Sequence, residues 1–563
     1  MKHPPSPSKM ILDHSTTQAL EFDGVRRLLS DHARTPMGRE RAAVLEPQSD
    51  PDRVEAALAL TADCRGYASE GHRISLAAVG DPSGALSLLA VEGTSLDPQQ
   101  ILGLECLAAA AREFGERFRE AEARAQYPSL AGLAARVPDM NPVLSGLRGK
   151  LLPDGSIDDN ASPELRHVRR DLLHARARVH RHLESIMKTQ ARAVQEDYIT
   201  FRNERFVIPV RTDARGLVPG VVHGLSSSGQ TTYLEPIAVI EQNNEIVRLR
   251  EREQLEIARI LLALTELLRS NVGALGIAAE VVTELDLADA KARLADQFDC
   301  ARPALSDGRR LLLKEARHLL LEHNLRAAGG RAVPISLEMD AGRRVLVVSG
   351  PNAGGKTVVL KTIGLACLMA QAGMHVPARE AELPLVREVF ADIGDQQSIT
   401  ANLSTFTAHM RNVARTASRV TAASLVLIDE VGTGTDPDEG SALAVSILDY
   451  FRLSGALVAA TTHYNEVKAW AAGAEAVVNA AVEFDEQTLQ PTYRLLWGVA
   501  GASSGLEIAR RMEVPPVIVE DSSRRLDPAH LEANRHLREI RRRIDELEDL
   551  GRSIERQRAE LDR

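Results

Sequence analysis

Val345-Leu-Val-Val-Ser-Gly350-Pro-Asn-Ala-Gly-Gly-Lys356-Thr357 is the stretch whose reading decides the rest of the chain. Its four leading apolar residues predict a short buried strand, and Val358 to Leu368 continues with helical spacing. Between the two lies Gly350-x-x-x-x-Gly355-Lys356-Thr357. A strand, a glycine turn and a helix start, in that order, predict a phosphate-binding loop. Glycines let backbone N–H groups close around an anion, and the open N–H groups of a helix's first turn add positive potential. Gly350, Pro351, Asn352, Ala353, Gly354, Gly355, Lys356, Thr357 and Val358 are therefore the expected nucleotide contacts. Lys356 is expected to reach the β- and γ-phosphates, and the Thr357 hydroxyl to ligate Mg²⁺. The bland alternative, a chance glycine turn in a helix-rich chain, is disfavoured by the flanking strand and helix.

Working outward, a second apolar run, Ser424 to Ile428, ends in Asp429-Glu430. A carboxylate at the end of a buried strand can hold the Mg²⁺ shell, and a second can polarise an attacking water. Asp429 is accordingly expected on the metal and Glu430 on the water. Surface acids capping a strand are the competing reading, weakened by the loop upstream. A third run, Ala456 to Ala460, ends in Thr461-Thr462-His463, and a histidine there can bond a γ-phosphate or the water.

Composition bounds what surrounds these motifs. The chain has 563 residues, enough for roughly four domains by the usual length prior. Hydrophobic residues make up 44% and charged residues 26%, ordinary for a soluble protein, and the net charge of −10 argues against an overall basic coat. Aromatic residues are 3%, too few for recognition through many stacking rings. Cys64, Cys106, Cys300 and Cys367 are widely spaced without metal-like pairing, which predicts reduced thiols in the cytoplasm. Met1 to Met10 has no apolar core and no run of about 18 apolar residues exists, so neither a signal peptide nor a membrane span is expected.

Along the chain, Leu20 to Val137 shows helical spacing broken near Gly80–Ser83 and Ser95–Pro98, and Pro142 to Ser162 reads as a connector. Leu165, Val168, Leu172, Ala175 and Val179 then mark a long heptad-like helix rich in arginine: Arg166, Arg169, Arg170, Arg176, Arg178 and Arg181. Those arginines fit a basic arm on nucleic acid and a solvated helix face about equally. Phe206, Ile208 and Val210 alternate as a strand does, as does Thr231 to Leu234, with a turn-rich stretch from Asp213 to Gly229 between them. Ile246, Leu249, Ile257, Ile260 and Leu264 mark a second long helix. The pair is expected to run antiparallel, as levers, with a small β element at the far end.

Two further segments narrow the class. Leu403-Ser404-Thr405-Phe406-Thr407 precedes a helix, where Ser404 can supply an anion site, and Gly432-Thr-Gly-Thr-Asp436 follows the acids directly. Taken together, the glycine loop, the serine segment, the Asp-Glu pair with its Gly-Thr-Gly-Thr-Asp loop, and Thr-Thr-His resemble the ATPase of the MutS family, a branch of the ABC ATPases. Leu20-Glu-Phe-Asp23 with Thr35-Pro-Met-Gly-Arg39 is similar to the opening of the MutS core, and Val482-Glu-Phe-Asp485, Pro491-Thr-Tyr-Arg-Leu495 and Leu506 to Arg511 to its dimerising end. The core reads as beginning close to Met1, so mismatch recognition is not expected, and Phe114-Gly-Glu116, which matches the mismatch reader's Phe-x-Glu pattern, sits in a helical stretch and reads as chance. The small β element resembles the second bacterial MutS subfamily, which usually carries a terminal Smr nuclease domain.

That resemblance implies a multidomain α and α/β fold. Residues 1–16 would be disordered, 17–160 and 271–306 a helical core, 161–270 the lever helices with a clamp-like β element, 307–526 an ABC-type P-loop ATPase and dimerisation domain, and 527–563 a coiled coil. It also implies a homodimer using ATP and Mg²⁺, with Ser404 acting in trans on ATP held by Lys356 of the other chain and the Asp436 loop linking the two sites. The implied partner is branched DNA, in suppressing homologous recombination, or ribosomal RNA on stalled or collided ribosomes; no membrane is implied. Leu537 to Ile554 has coiled-coil spacing and no Smr pattern follows it, so nuclease activity is in doubt; a shortened chain is the preferred reading, a naturally short member the alternative. A transporter subunit is disfavoured because Ser404 is followed by Thr405-Phe406, not Gly-Gly-Gln.

Overall fold

The computed structural model describes residues 10, 12–306, 309–351, 354–394, 405–484, 491–501, 509 and 514–525. Asn352, Ala353, Ser404, residues 1–9 of the expected disordered start and the expected coiled coil (527–563) lie outside them. The first described helix is His14–Ala19, where the Asp13 side chain accepts from the Thr16 N–H at 2.7 Å. No single helix among the described residues is long and apolar enough to cross a membrane. The chain divides into two compact units, Ser75–Ala123 with Ala131–Val282, and Met1–Ile74 with Arg124–Leu130 and Thr283–Arg563. Residues 17–160 thus contribute to both.

The first of these units is built on the two long helices, Pro163–Thr189 and Ile240–Ser270. Ser162 caps the former, its hydroxyl accepting from Leu165 N–H at 3.0 Å. Leu165, Val168, Leu172, Ala175, Val179, Leu183 and Met187 fall on one stripe and are buried. Ion pairs between the helices match early with late positions: Arg169 with Glu253 at 2.8 Å, Arg178 with Glu245 at 2.8 Å, Glu164 with Arg252 at 2.5 Å. That pairing makes them antiparallel. Arg166, Arg170, Arg178, Arg181 and Lys188 remain exposed.

Between the helices the chain forms an antiparallel sheet, β1 (Thr200–Arg202), β2 (Arg205–Arg211), β3 (Gly220–Leu225) and β4 (Thr231–Pro236), in the order β1-β2-β4-β3. Ile208, Val210 and Leu234 bury one face against the long helices. Asp213–Gly229, expected as turns, instead contains β3. Val221, Val222 and Leu225 are 44–60% exposed, so this edge strand buries no face and carries no hydrophobic alternation to read. A buried carboxylate, Glu235, ties the sheet together, pairing with Arg205 at 3.0 Å and His223 at 2.8 Å and accepting from Asn243 at 2.9 Å.

In the second unit, β5 (Ala304–Ser306), β6 (Leu311–Ala316), β7 (Ile335–Met339) and β9 (Glu380–Pro384) form a four-stranded sheet ordered β5-β9-β6-β7. The larger sheet comprises β8 (Val345–Ser349), β10 (Glu388–Asp392), β11 (Ser424–Ile428), β12 (Leu457–Thr461), β13 (Val477–Phe484) and β14 (Pro491–Trp497). Its order is β10-β11-β12-β8-β13-β14, parallel except for the last strand. The central strands β8, β11 and β12 are buried along their whole length, with apolar residues on both faces. Leu346, Val348, Leu425 and Leu427 join one core cluster, while Val345, Val347, Val426 and Ile428 join the other. Each such burial contributes roughly 1.5–3 kcal/mol. The helix Lys356–Gln371 lies close on this sheet: a Cβ on Gly364 would stand 2.7 Å from side-chain atoms of both Leu20 and Leu427. The strand ends, and every motif attached to them, therefore share one carboxyl edge, where open α/β sheets bind ligands.

Candidate functional site

At that edge β8 runs directly into the glycine loop. Gly350 has φ 132° and Gly355 φ 88°, backbone states that side chains resist. A Cβ on Gly350 would lie 3.0 Å from the Val482 carbonyl oxygen, so the loop hugs β13. Val499 to Gly501 closes from another side: Gly501 N–H donates to Ser349 Oγ at 2.7 Å, and Lys468 Nζ donates to the Gly501 carbonyl at 3.2 Å. Pro351, Gly354 and Val358 lie within the same turn and helix start, with Gly354 N–H on the Pro351 carbonyl at 3.0 Å.

Lys356 opens the helix and is buried. Its Nζ donates to the Gly350 carbonyl at 2.8 Å and stands 3.3 Å from His463 Nδ1. Burial pushes its pKa down to about 8, with Glu430 and Asp429 opposing the shift. An ammonium has only protons to offer, so His463 Nδ1 accepts and the ring proton sits on Nε2. That Nε2 donates to Glu430 Oε1 at 2.8 Å. Lys356, His463 and Glu430 thus form one line, a set of mutual contacts beyond the phosphate and water roles expected of each from sequence.

The neighbouring residue completes a second line. Thr357 Oγ donates to Asp429 Oδ2 at 2.6 Å, and Thr461 Oγ donates to Asp429 Oδ1 at 2.5 Å. Thr461 also accepts from the Glu430 N–H at 2.7 Å, so one hydroxyl orients both acids. Glu430 itself has φ 51°, which turns it off the line of β11 toward His463. Thr357 and Asp429 present adjacent hard oxygen ligands, the donor set that suits Mg²⁺ shared with phosphate oxygens. Asp436 serves as the cap of the helix Pro437–Leu453, accepting from Asp438 N–H at 3.0 Å and Glu439 N–H at 3.4 Å.

Several contributors carry no motif of their own. Thr461 is visible only as the residue before Thr462-His463. Asp392 ends β10 beside the acids and accepts the Asp429 N–H on its carbonyl at 2.8 Å; an acid closing an apolar run is its available signal. Tyr493 has φ 60° where the pairing of β13 and β14 slips, and is half exposed. That bulge re-aims its ring toward Gly355, whose Cβ, if present, would lie 3.3 Å from it.

Comparison with known proteins gives the family. The family described as MutS domain V matches residues 346–529, the segment carrying the glycine loop, both acids and His463. The chain is 38% identical over 546 residues to Endonuclease MutS2 of Pelotomaculum thermopropionicum, covering 95% of this chain and 68% of that protein. The Thermomicrobium roseum protein of the same name is 39% identical over 550 residues, covering 94% and 68%. The chain belongs to the MutS2 family. A third MutS2, from Symbiobacterium thermophilum, is 38% identical over 98% of this chain and 67% of its own length. This MutS2 chain is accordingly a MutS-family nucleotide-binding ATPase, with ATP hydrolysis as its general activity.

Proposed function

We propose that this MutS2 chain is a homodimeric, nucleic-acid-binding ATPase that grips branched DNA and suppresses homologous recombination, opening and closing with its ATP cycle. The observation that supports its ATPase part best is the pair of hydrogen-bonded lines at the carboxyl edge, Lys356–His463–Glu430 and Thr357–Asp429–Thr461. Gly350 to Val358 wraps the phosphates, Lys356 neutralises the β- and γ-phosphates, and the exposed Tyr493 ring lies where a base can rest on it. Thr357 and Asp429 hold Mg²⁺, which when bound draws charge from the phosphate oxygens. Glu430, oriented by His463, takes a proton from the attacking water. Cutting of a strand, which the relatives' name implies for them, is no part of this proposal.

Each site is shared: Ser404 acts on ATP held by Lys356 of the other chain, and the Asp436 loop links the two sites. Closure and reopening then pass through the long helices to the small sheet, as levers to a clamp. Mixing a Lys356→Ala chain with a Ser404→Ala chain tests the sharing. One site of the mixed dimer combines both defects and the other is built wholly from intact parts, so each mixed dimer should show about half the ATPase activity of the unaltered dimer, and a 1:1 statistical mixture about a quarter, by the two-site count of a C₂ assembly. No recovery on mixing would sink the shared site.

The nucleic acid is assigned to the exposed arginine face of the helix Pro163–Thr189. Replacing Arg166, Arg170 and Arg181 together with alanine should weaken binding to a four-way junction and flatten its log–log salt dependence by about three phosphate contacts, a slope change of ~2.7. Gel shifts across a salt series measure this, with purified ribosomes sedimented in parallel. ATPase stimulation by junctions supports the DNA reading; stimulation by ribosomes alone transfers the proposal to ribosome splitting. An unchanged salt slope removes the helix from the interface.

A further inference from the structure

Strand β10 ends at Asp392, whose carboxylate has no part in the chemistry assigned above. It is about nine-tenths buried, and both of its oxygens are used by one helix, Thr405–Ala417. Oδ2 accepts from His409 Nδ1 at 2.7 Å and Oδ1 from Asn412 Nδ2 at 2.7 Å. The backbone of the same residue is tied to the acid pair through the Asp429 N–H. One residue therefore joins the acid strand to the helix that begins immediately after Ser404 in the sequence.

The remainder of the helix is fastened differently. Met410, Val413 and Ala417 pack on an apolar cluster, contacts that tolerate small slides. Arg415 pairs with Asp13 at 3.0 Å, and Arg419, just beyond the helix, pairs with Glu388 at the start of β10. Near its first turn, a Cβ on Gly434 would lie 3.1 Å from Phe406 Cβ, so the loop between the acids and Asp436 also bears on this helix. Leaving a buried carboxylate without its donors is strongly unfavourable, whereas an apolar face can shift at small cost. The two short bonds to Asp392 fix the helix's position along the sheet together with the Arg415–Asp13 and Arg419–Glu388 pairs, and of these anchors Asp392 is the one that accepts the Asp429 N–H.

We propose that Asp392 is a positioning residue: through His409 and Asn412 it locks the helix Thr405–Ala417 to this chain's own acid pair, so that the state of one nucleotide site governs what the chain presents to its partner's site. The inference rests on the shared-site reading above. The test uses Asp392→Asn, which keeps the size of the side chain and turns one acceptor into a donor. The homodimer should lose about tenfold or more in kcat, as a displaced group does, with KM for ATP little changed. Adding Asn412→Asp to it restores an amide–carboxylate pair and should recover part of the loss. The deciding readout is a dimer mixed from Asp392→Asn and Lys356→Ala chains. Its one live site joins the first chain's glycine loop to the second chain's intact helix, so it should turn over like the live site of an unaltered/Lys356→Ala dimer.

If that site stays slow while the Lys356→Ala and Ser404→Ala mixture recovers, Asp392 acts on its own acids and the inference falls alone. If neither mixture recovers, the shared-site reading fails and the inference goes with it. An Asp392→Asn homodimer as fast as the unaltered protein overturns it as well. Should Asp392→Asn melt early, Asn412→Ala replaces it in the same mixture with the same outcomes.

Discussion

Replacing Lys356 with alanine is expected to lower ATP affinity by about 100-fold or more, the scale of removing one partner from a desolvated charge pair. The lysine is buried at the helix start, with its ammonium held by the Gly350 carbonyl in the gap between the glycine loop and His463. No other basic side chain touches that carbonyl among the described residues, and Lys468, also buried, is engaged by Asn465 and Gly501. A proton-linked signature should accompany the loss. In the ligand-free chain burial brings the Lys356 pKa down to about 8, and a bound polyphosphate favours the charged form. ATP affinity should therefore weaken as pH rises through 8, with a proton taken up on binding at pH 9. Calorimetry in two buffers of different ionisation heat measures that uptake, and Lys356→Ala should abolish it. The ligand-free chain should behave oppositely in stability: its depressed lysine releases a proton before the unfolded chain does, so this residue's contribution grows as pH climbs from about 8 toward the ordinary 10.5. A Lys356→Ala chain that binds ATP within about threefold of the unaltered one, far short of a charge pair's worth, would remove the lysine from the phosphate site.

Much of the carboxyl edge is legible in the sequence because a parallel sheet buries both faces of its strands. Val345–Val348, Ser424–Ile428 and Ala456–Ala460 appear as uninterrupted apolar runs, and whatever polar residue ends each run must emerge at the edge. Lys356, Asp429, Glu430 and His463 follow from that rule. What the rule omits is lateral order. Which strand ends stand side by side depends on the sequence of strands across the sheet, β10-β11-β12-β8-β13, and this is not local information. So Thr461, which orients both acids, and Asp392, one strand away from Asp429, carry no visible role in the sequence. Backbone state is equally hidden: Tyr493 reaches Gly355 only because a slip in pairing puts it at φ 60°. Strand β3 is hidden for a third reason, since an edge strand with no buried face shows no alternation. The boundary of the two units falls within the helix Val272–Gln297, where spacing continues without a break and nothing marks a division.

Glu430→Gln should separate binding from turnover. The amide has the same shape and can still accept from His463 Nε2, now held 2.8 Å from Glu430 Oε1, so the line back to Lys356 survives. Neither residue has an advantage at φ 51°, and the backbone bonds, its N–H to the Thr461 hydroxyl and its carbonyl from the Thr433 hydroxyl, do not involve the side chain. What disappears is the capacity to take a proton, and general-base removal costs about 10²- to 10⁴-fold in kcat. ATP affinity should stay within a few-fold, because Lys356, Thr357 and Asp429 are untouched. If ATP closes the dimer as proposed, size-exclusion chromatography of Glu430→Gln with ATP and Mg²⁺ should show a dimer that persists far longer than the unaltered one. His463→Ala offers the contrast. It leaves the base in place but frees it to rotate, so kcat should fall by less, about tenfold, while the affinity drops too because Lys356 loses a neighbour. The ranking of the two variants matters more than either value. A Glu430→Gln chain that hydrolyses ATP at over a tenth of the normal rate, or a His463→Ala chain that is the slower of the two, would place the base elsewhere in the line.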